Sequence, residues 1–159
     1  MKDLHDRDCG ITGVGLQAHI DTKFNEWDGV KKNMKRYQDL GLDVHITELD
    51  IKCKTCGENW SDADLKDQAD VYEKLLDLCL SAANCKSFET WGFTDKYSWL
   101  PDPQDGLPMD RQMKAKPAYD ALYAKLESFP RDHAAVIERT KSNTLQDITP
   151  QEKVEAFLQ

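Results

Sequence analysis

The sequence predicts an α/β fold of parallel strands joined by helical crossovers. Two observations carry this. Strand-like and helix-like segments alternate along residues 11–126, an order that argues for parallel strands with crossover helices. Polar and aromatic residues also collect where each strand ends. In α/β barrels and in open doubly wound sheets, that carboxyl rim is where ligands bind.

Residues 11–20 read as the first strand, with Val14, Leu16, Gln17, Ala18, His19 and Ile20 following two glycines. A helical period comes next. Phe24, Trp27, Val30, Met34, Tyr37 and Leu40 recur at steps of three and four, and Gly41 follows as a stop signal. Residues 44–51 are largely apolar or β-branched and form the second strand, and 53–60 form a loop. Ser61 then caps a long helix, with Asp64 three residues on as a capping-box variant. Leu65, Tyr72, Leu75, Leu76, Cys79 and Leu80 make its buried face. Residues 87–93 are the third strand, and residues 94–110 a proline-rich loop. The last helix starts at Pro117, where proline suits the first turn, and presents Tyr119, Leu122, Tyr123 and Leu126. Residues 129–147 lack a period and read as a tail, with a short helix expected from Thr149.

Composition narrows the function. A 40% apolar and 31% charged chain of 159 residues is a folded domain rather than a disordered segment. Its apolar runs are too short to span a bilayer, so no membrane partner is expected. A net charge of −8 without a basic stripe excludes nucleic acid as an expected partner. Lys2, Asp3, Leu4 and His5 are not the apolar core of a signal peptide. Five cysteines include a C-x-x-C at Cys53 and Cys56, a pair at Cys79 and Cys85 around a helix end, and Cys9 left over. Two pairs and an odd thiol suit an oxidising compartment, with connectivity open. A zinc site would need two further ligands near Cys53 and Cys56, and no second C-x-x-C or H-x-x-x-H supplies them, so neither metal nor cofactor is expected.

The rim residues are Gln17 and His19 on the first strand, Glu48 and Asp50 on the second, and Trp91 on the third, running on to Asp95, Lys96 and Trp99. Alternation places Gln17 with His19, and Glu48 with Asp50. If Val44 and Ile46 fill a barrel interior, Glu48 tops the same column. Each residue also has a bland reading: Glu48 as a loop cap, His19 as a structural histidine, the tryptophans as core. Together they suit a sugar, whose apolar face stacks on indole while carboxylates do the chemistry.

Four segments carry a family resemblance. GVGLQAHI (13–20), LGLDVHITELDI (40–51), WGFTDKYSWLP (91–101) and KPAYDAL (116–122) occur in order. They resemble the sixth, seventh and eighth strands and the last helix of glycoside hydrolase family 10, the endo-β-1,4-xylanases. The resemblance implies the C-terminal portion of a (β/α)8 barrel over residues 1–128, with a tail at 129–159. It implies an extracellular enzyme that hydrolyses xylan or xylo-oligosaccharide by retaining double displacement. Glu48 falls on the nucleophile position. His19 and Asp50 fall on the supporting network, and Gln17, Trp91 and Trp99 on sugar contacts. Cys79 and Cys85 match a disulfide of many members.

Two departures accompany it. The general acid/base of the family lies on a strand with no counterpart here, so the missing part of the barrel becomes an expected partner and the activity of this chain alone is left open. Glu89 stands where a small or β-branched residue is usual, expected on the face of Trp91 but one layer deeper. Three strands leave both sheet edges unpaired, so the chain alone is expected to be marginal. A non-catalytic carbohydrate-binding remnant is the alternative function, and a thiol module a distant third.

Overall fold

The computed structural model describes residues 2–129. A short helix α1 (Lys2–Asp6) precedes strands β1 (Gly13–Leu16) and β2 (His19–Asp21). Helix α2 (Trp27–Asp39), strand β3 (Asp43–Lys52), helix α3 (Asp62–Ser81), strand β4 (Cys85–Thr90) and helix α4 (Pro117–Ser128) follow. All strand pairings are parallel, as the alternation predicts. β3 is central. β1 and β2 pair with its two ends, and β4 pairs with it as well.

The predicted first strand is thus two segments, interrupted at Gln17 and Ala18. Ala18 takes a left-handed φ of 62°, a conformation that costs an L-residue about 1–2 kcal/mol. β3 carries a matching irregularity. Leu16 pairs with Ile46 but His19 pairs with Asp50, so β3 spends one residue more than its neighbour. On β4, Phe88 pairs with Ile46 and Thr90 with Leu49, again one residue short. The extra residue is a β-bulge at Thr47–Glu48.

The bulge overturns the expected column. Val44 and Ile46 are buried, Ile46 against the helices together with Leu49 and Ile51. Odd and even positions of one strand share a face only because the bulge shifts the phase. Glu48 and Asp50 therefore lie opposite Ile46, on the face of His45, which contacts Ser87 at 3.0 Å. Phe93, the end of the predicted third strand, lies beyond β4 and is exposed. Glu89 alternates with buried Phe88 and is exposed on the open face.

The core sits between sheet and helices. Ile46, Leu49, Ile51 and Phe88 pack with Val71, Tyr72, Leu75, Leu76 and Cys79 of α3 and with Ala118 and Leu122 of α4. Ser61 and Asp64 close a capping box at the start of α3, as expected. α2 starts later than its period suggests, at Trp27, with Phe24 in an edge-on contact with the Trp27 ring. Of the residues α4 presents, Leu122 is buried, whereas Tyr123 is exposed and donates to Glu127. The helix expected from Thr149 lies outside the described residues.

Candidate active site

Glu48 sits at the bulge. One carboxylate oxygen, Oε2, lies 3.1 Å from His19 Nε2, and the other, Oε1, lies 3.5 Å from Gln17 Nε2, the outer limit of a hydrogen bond. His19 Nδ1 lies 2.9 Å from Asp50 Oδ2. Trp99 Nε1 donates to the same Oδ2 at 2.7 Å. The chain Glu48–His19–Asp50–Trp99 is therefore continuous. Ionised carboxylates only accept, so both His19 contacts are hydrogen bonds at once when both ring nitrogens carry hydrogen. Glu48 and His19 each keep 23% of their side-chain surface exposed, whereas the Asp50 side chain is fully buried. Asp50 can orient His19 but cannot reach a ligand.

Two indoles flank this chain. The Trp91 ring stands edge-on to His19 at 6.5 Å, and that of Trp99 at 5.1 Å. They are 49% and 58% exposed, so neither is core. Gly92 turns the backbone away from β4 at φ 112°, a region glycine alone enters freely. The six expected site residues thus meet at one rim. Gln17, Glu48 and the tryptophans present an open surface with one reachable carboxylate, suited to attack on an electrophilic carbon of a ligand stacked on indole.

Asp95 departs from its expected place on the rim. It is 3% exposed and pairs with Lys116, itself 6% exposed, at 2.9 Å. Burial pushes the Asp95 carboxyl above the ordinary carboxylate range. The same desolvation pushes the Lys116 ammonium below the ordinary lysine range, against the pull of Asp95. Tyr72 donates to the Gly106 carbonyl at 2.8 Å, and burial raises its phenol well above the usual value. Gln68 donates to the carbonyls of Ile51 and Asp105. Lys116, Gln68 and Gly106 had no signal in the sequence beyond a lysine before a helix-starting proline.

The cysteines pair as Cys53–Cys56 and Cys79–Cys85, with Cys9 free and exposed. Cys53, Cys56 and Asp64 bring three donor atoms within 4.8 Å of one another. With the sulfurs joined they offer a metal no thiolate.

Comparison with known proteins identifies the family. The profile of Glycosyl hydrolase family 10 matches residues 1–125. Endo-1,4-beta-xylanase B of Thermotoga neapolitana is 36% identical over 131 residues, 80% of this chain and 37% of that protein. Endo-1,4-beta-xylanase 2 of Aureobasidium pullulans is 36% identical over 132 residues, 75% of this chain and 36% of that protein. The crystal structure of xylanase 10B from Thermotoga petrophila in complex with xylobiose superposes with a TM-score of 0.73 at 37% identity, over 79% of this chain and 39% of that one. A xylanase of Thermoanaerobacterium saccharolyticum, solved with xylotriose, gives a TM-score of 0.68 at 34% identity, over 76% and 36%. The chain spans about two fifths of the length of these relatives.

Proposed function

The chain belongs to glycosyl hydrolase family 10, and from that premise we propose that it carries the nucleophile side of a retaining endo-1,4-β-xylanase site. The observation that carries this reading is Glu48 held by His19, which is held in turn by buried Asp50. In the proposed reaction a Glu48 oxygen bonds to the anomeric carbon of a xylosyl unit as the glycosidic C–O bond breaks. The leaving oxygen takes a proton from a general acid. Water then attacks the glycosyl ester and frees Glu48, giving its proton to the same group. His19 and Gln17 hold the carboxylate oriented throughout, and Trp91 and Trp99 receive the apolar faces of the sugar. Relatives solved with xylobiose and xylotriose support xylan or xylo-oligosaccharide as the ligand.

We propose that the acid/base of this reaction belongs to the complementary portion of the barrel. Among the described residues, the one other carboxylate hydrogen-bonded to the network is Asp50, which is sealed from solvent. We assign β1 with β2, β3 and β4 to positions six, seven and eight of a (β/α)8 barrel, so the complementary portion of such a barrel is the proposed partner. Two disulfides support an oxidising, extracellular setting. The second reading, a carbohydrate-binding remnant, draws on the same point, that among the described residues no solvent-reachable carboxylate besides Glu48 is hydrogen-bonded to the network.

Dinitrophenol release from a dinitrophenyl β-xylobioside tests the proposal, because that leaving group departs without a proton. Release that vanishes in Glu48→Ala is the expected result. Equal rates in both proteins would leave only binding. Natural xylan is expected to react about 10²–10⁴-fold less effectively for want of the acid.

A further inference from the structure

Lys116 occupies the N-cap of α4, one residue before Pro117. A cation there opposes the helix dipole, and a lysine is rarely buried without partners. Its contacts supply the reason. Nζ donates to Asp95 Oδ2 at 2.9 Å and to the Asp105 carbonyl at 2.8 Å. It also lies 5.0 Å from the centre of the Trp60 ring. One ammonium thereby joins α4, the turn after β4, the loop through Asp105 and the loop between β3 and α3. The other Asp95 oxygen accepts from the Leu107 amide at 2.7 Å. Trp60 Nε1 donates to the Pro103 carbonyl at 3.0 Å.

The span between these anchors carries Trp99. Two further contacts seat it on β3. The Ile51 amide donates to the Gly106 carbonyl, and the Cys53 amide to that of Gln104. Gly106 has no room for a side chain, since a Cβ there would run into Leu100 and come within 3.2 Å of Asp50 Cβ. Asp50 depends on this fit. Its Oδ2 is shared by His19 and Trp99, and its buried Oδ1 has no hydrogen-bond partner among the described residues. Among the described residues, Trp99 is thus one of two donors to a fully buried carboxylate.

We infer that the Lys116–Asp95 pair is a positioning device that fixes the loop aiming the Trp99 indole N–H at Asp50, and through Asp50 sets His19 against Glu48. The geometry stands by itself, and only its consequence for catalysis rests on Glu48 being the nucleophile. Both residues are buried, so they act through Trp99 and Asp50. The energetic logic is specific. A buried ion pair is weak support for stability, so a pair retained at this depth fits a role in holding four segments in one register.

Hydrogen exchange of the indole N–H groups in ¹⁵N-labelled protein tests this without any activity assay. Lys116→Met leaves Asp95 buried and unpaired, so Asp95→Asn with Lys116→Met, which removes both charges, is measured beside it. In the folded double variant the Trp99 indole is expected to exchange about tenfold faster than in the parent, with the Leu75 and Leu76 amides of α3 unchanged. Trp99 exchange within about twofold of the parent would overturn the inference. A double variant that does not fold would overturn it too, since the pair would then hold the fold rather than aim the loop. Failure of the Glu48-dependent assay with Trp99 protection lost as expected would count against the hydrolase reading alone.

Discussion

The two faces of the sheet are built on different terms. The helix face buries Ile46, Leu49, Ile51 and Phe88 under α3 and α4, with apolar contacts throughout. The open face carries His45, Ser87 and Glu89 below the rim, with Glu48, His19 and Trp91 at it, all partly or largely exposed. One face is a finished core. The other carries the Glu48–His19 contact, is joined to the core through buried Asp50, and is uncovered among the described residues. The difference teaches that the geometry around Glu48 is set by the helix-backed side of the sheet. The bulge at Thr47–Glu48 is what lets one strand serve both.

Substitutions on the two faces should therefore diverge, and truncating the core has the largest effect. Ile51→Ala or Leu76→Ala is expected to cost about 2–5 kcal/mol in a urea melt. Equal costs for open-face variants would break the comparison. Removing the Cys79–Cys85 disulfide, which ties the end of α3 to β4 across six residues of sequence, is expected to cost about 2 kcal/mol by loop entropy. The same melt of the double Cys→Ala variant checks this.

Ser61→Ala removes a cap from α3 and is expected to cost about 1 kcal/mol. Its pH dependence sharpens the point. Hydrogen bonds from Ser61 hold the Asp64 carboxyl below its ordinary value of 3.8. A carboxylate depressed by folding binds fewer protons in the native state, so its contribution is present above about pH 4. It is lost as pH falls through the lower native value. Thermal melts of the parent from pH 5 downward should show that loss, and Ser61→Ala should flatten it. Glu89→Gln on the open face is expected to change stability by about 0.5 kcal/mol or less. A larger change would mean the open face is packed after all.

Much of this was legible in the residues. The strand–helix alternation, the Ser61 cap and the start of α4 at Pro117 follow from local patterns that the structure keeps. The residues that meet at the rim were legible too, because carboxylate, imidazole and indole side chains stood at three strand ends. Their stacking was not. Strict alternation put Glu48 above Ile46, and a bulge has no local sequence signal, so the phase shift emerged only in the pairing with both neighbours. Asp95 read as a rim residue because burial of an ion pair is decided by a partner 21 residues away. Likewise the left-handed Ala18, which breaks the first strand, is imposed by tertiary context on a residue that does not favour it.

The most direct test of the central claim is covalent trapping with a 2-deoxy-2-fluoro-β-xylobiosyl fluoride. The fluoride leaves with little need of an acid, and the 2-fluoro group slows hydrolysis of the ester. Mass spectrometry of the intact and digested protein is expected to find one added xylobiosyl unit on the peptide containing Glu48, and none in Glu48→Ala. An unlabelled chain that is folded by its amide spectrum, or a label on another carboxylate, would contradict a nucleophile preassembled within this chain.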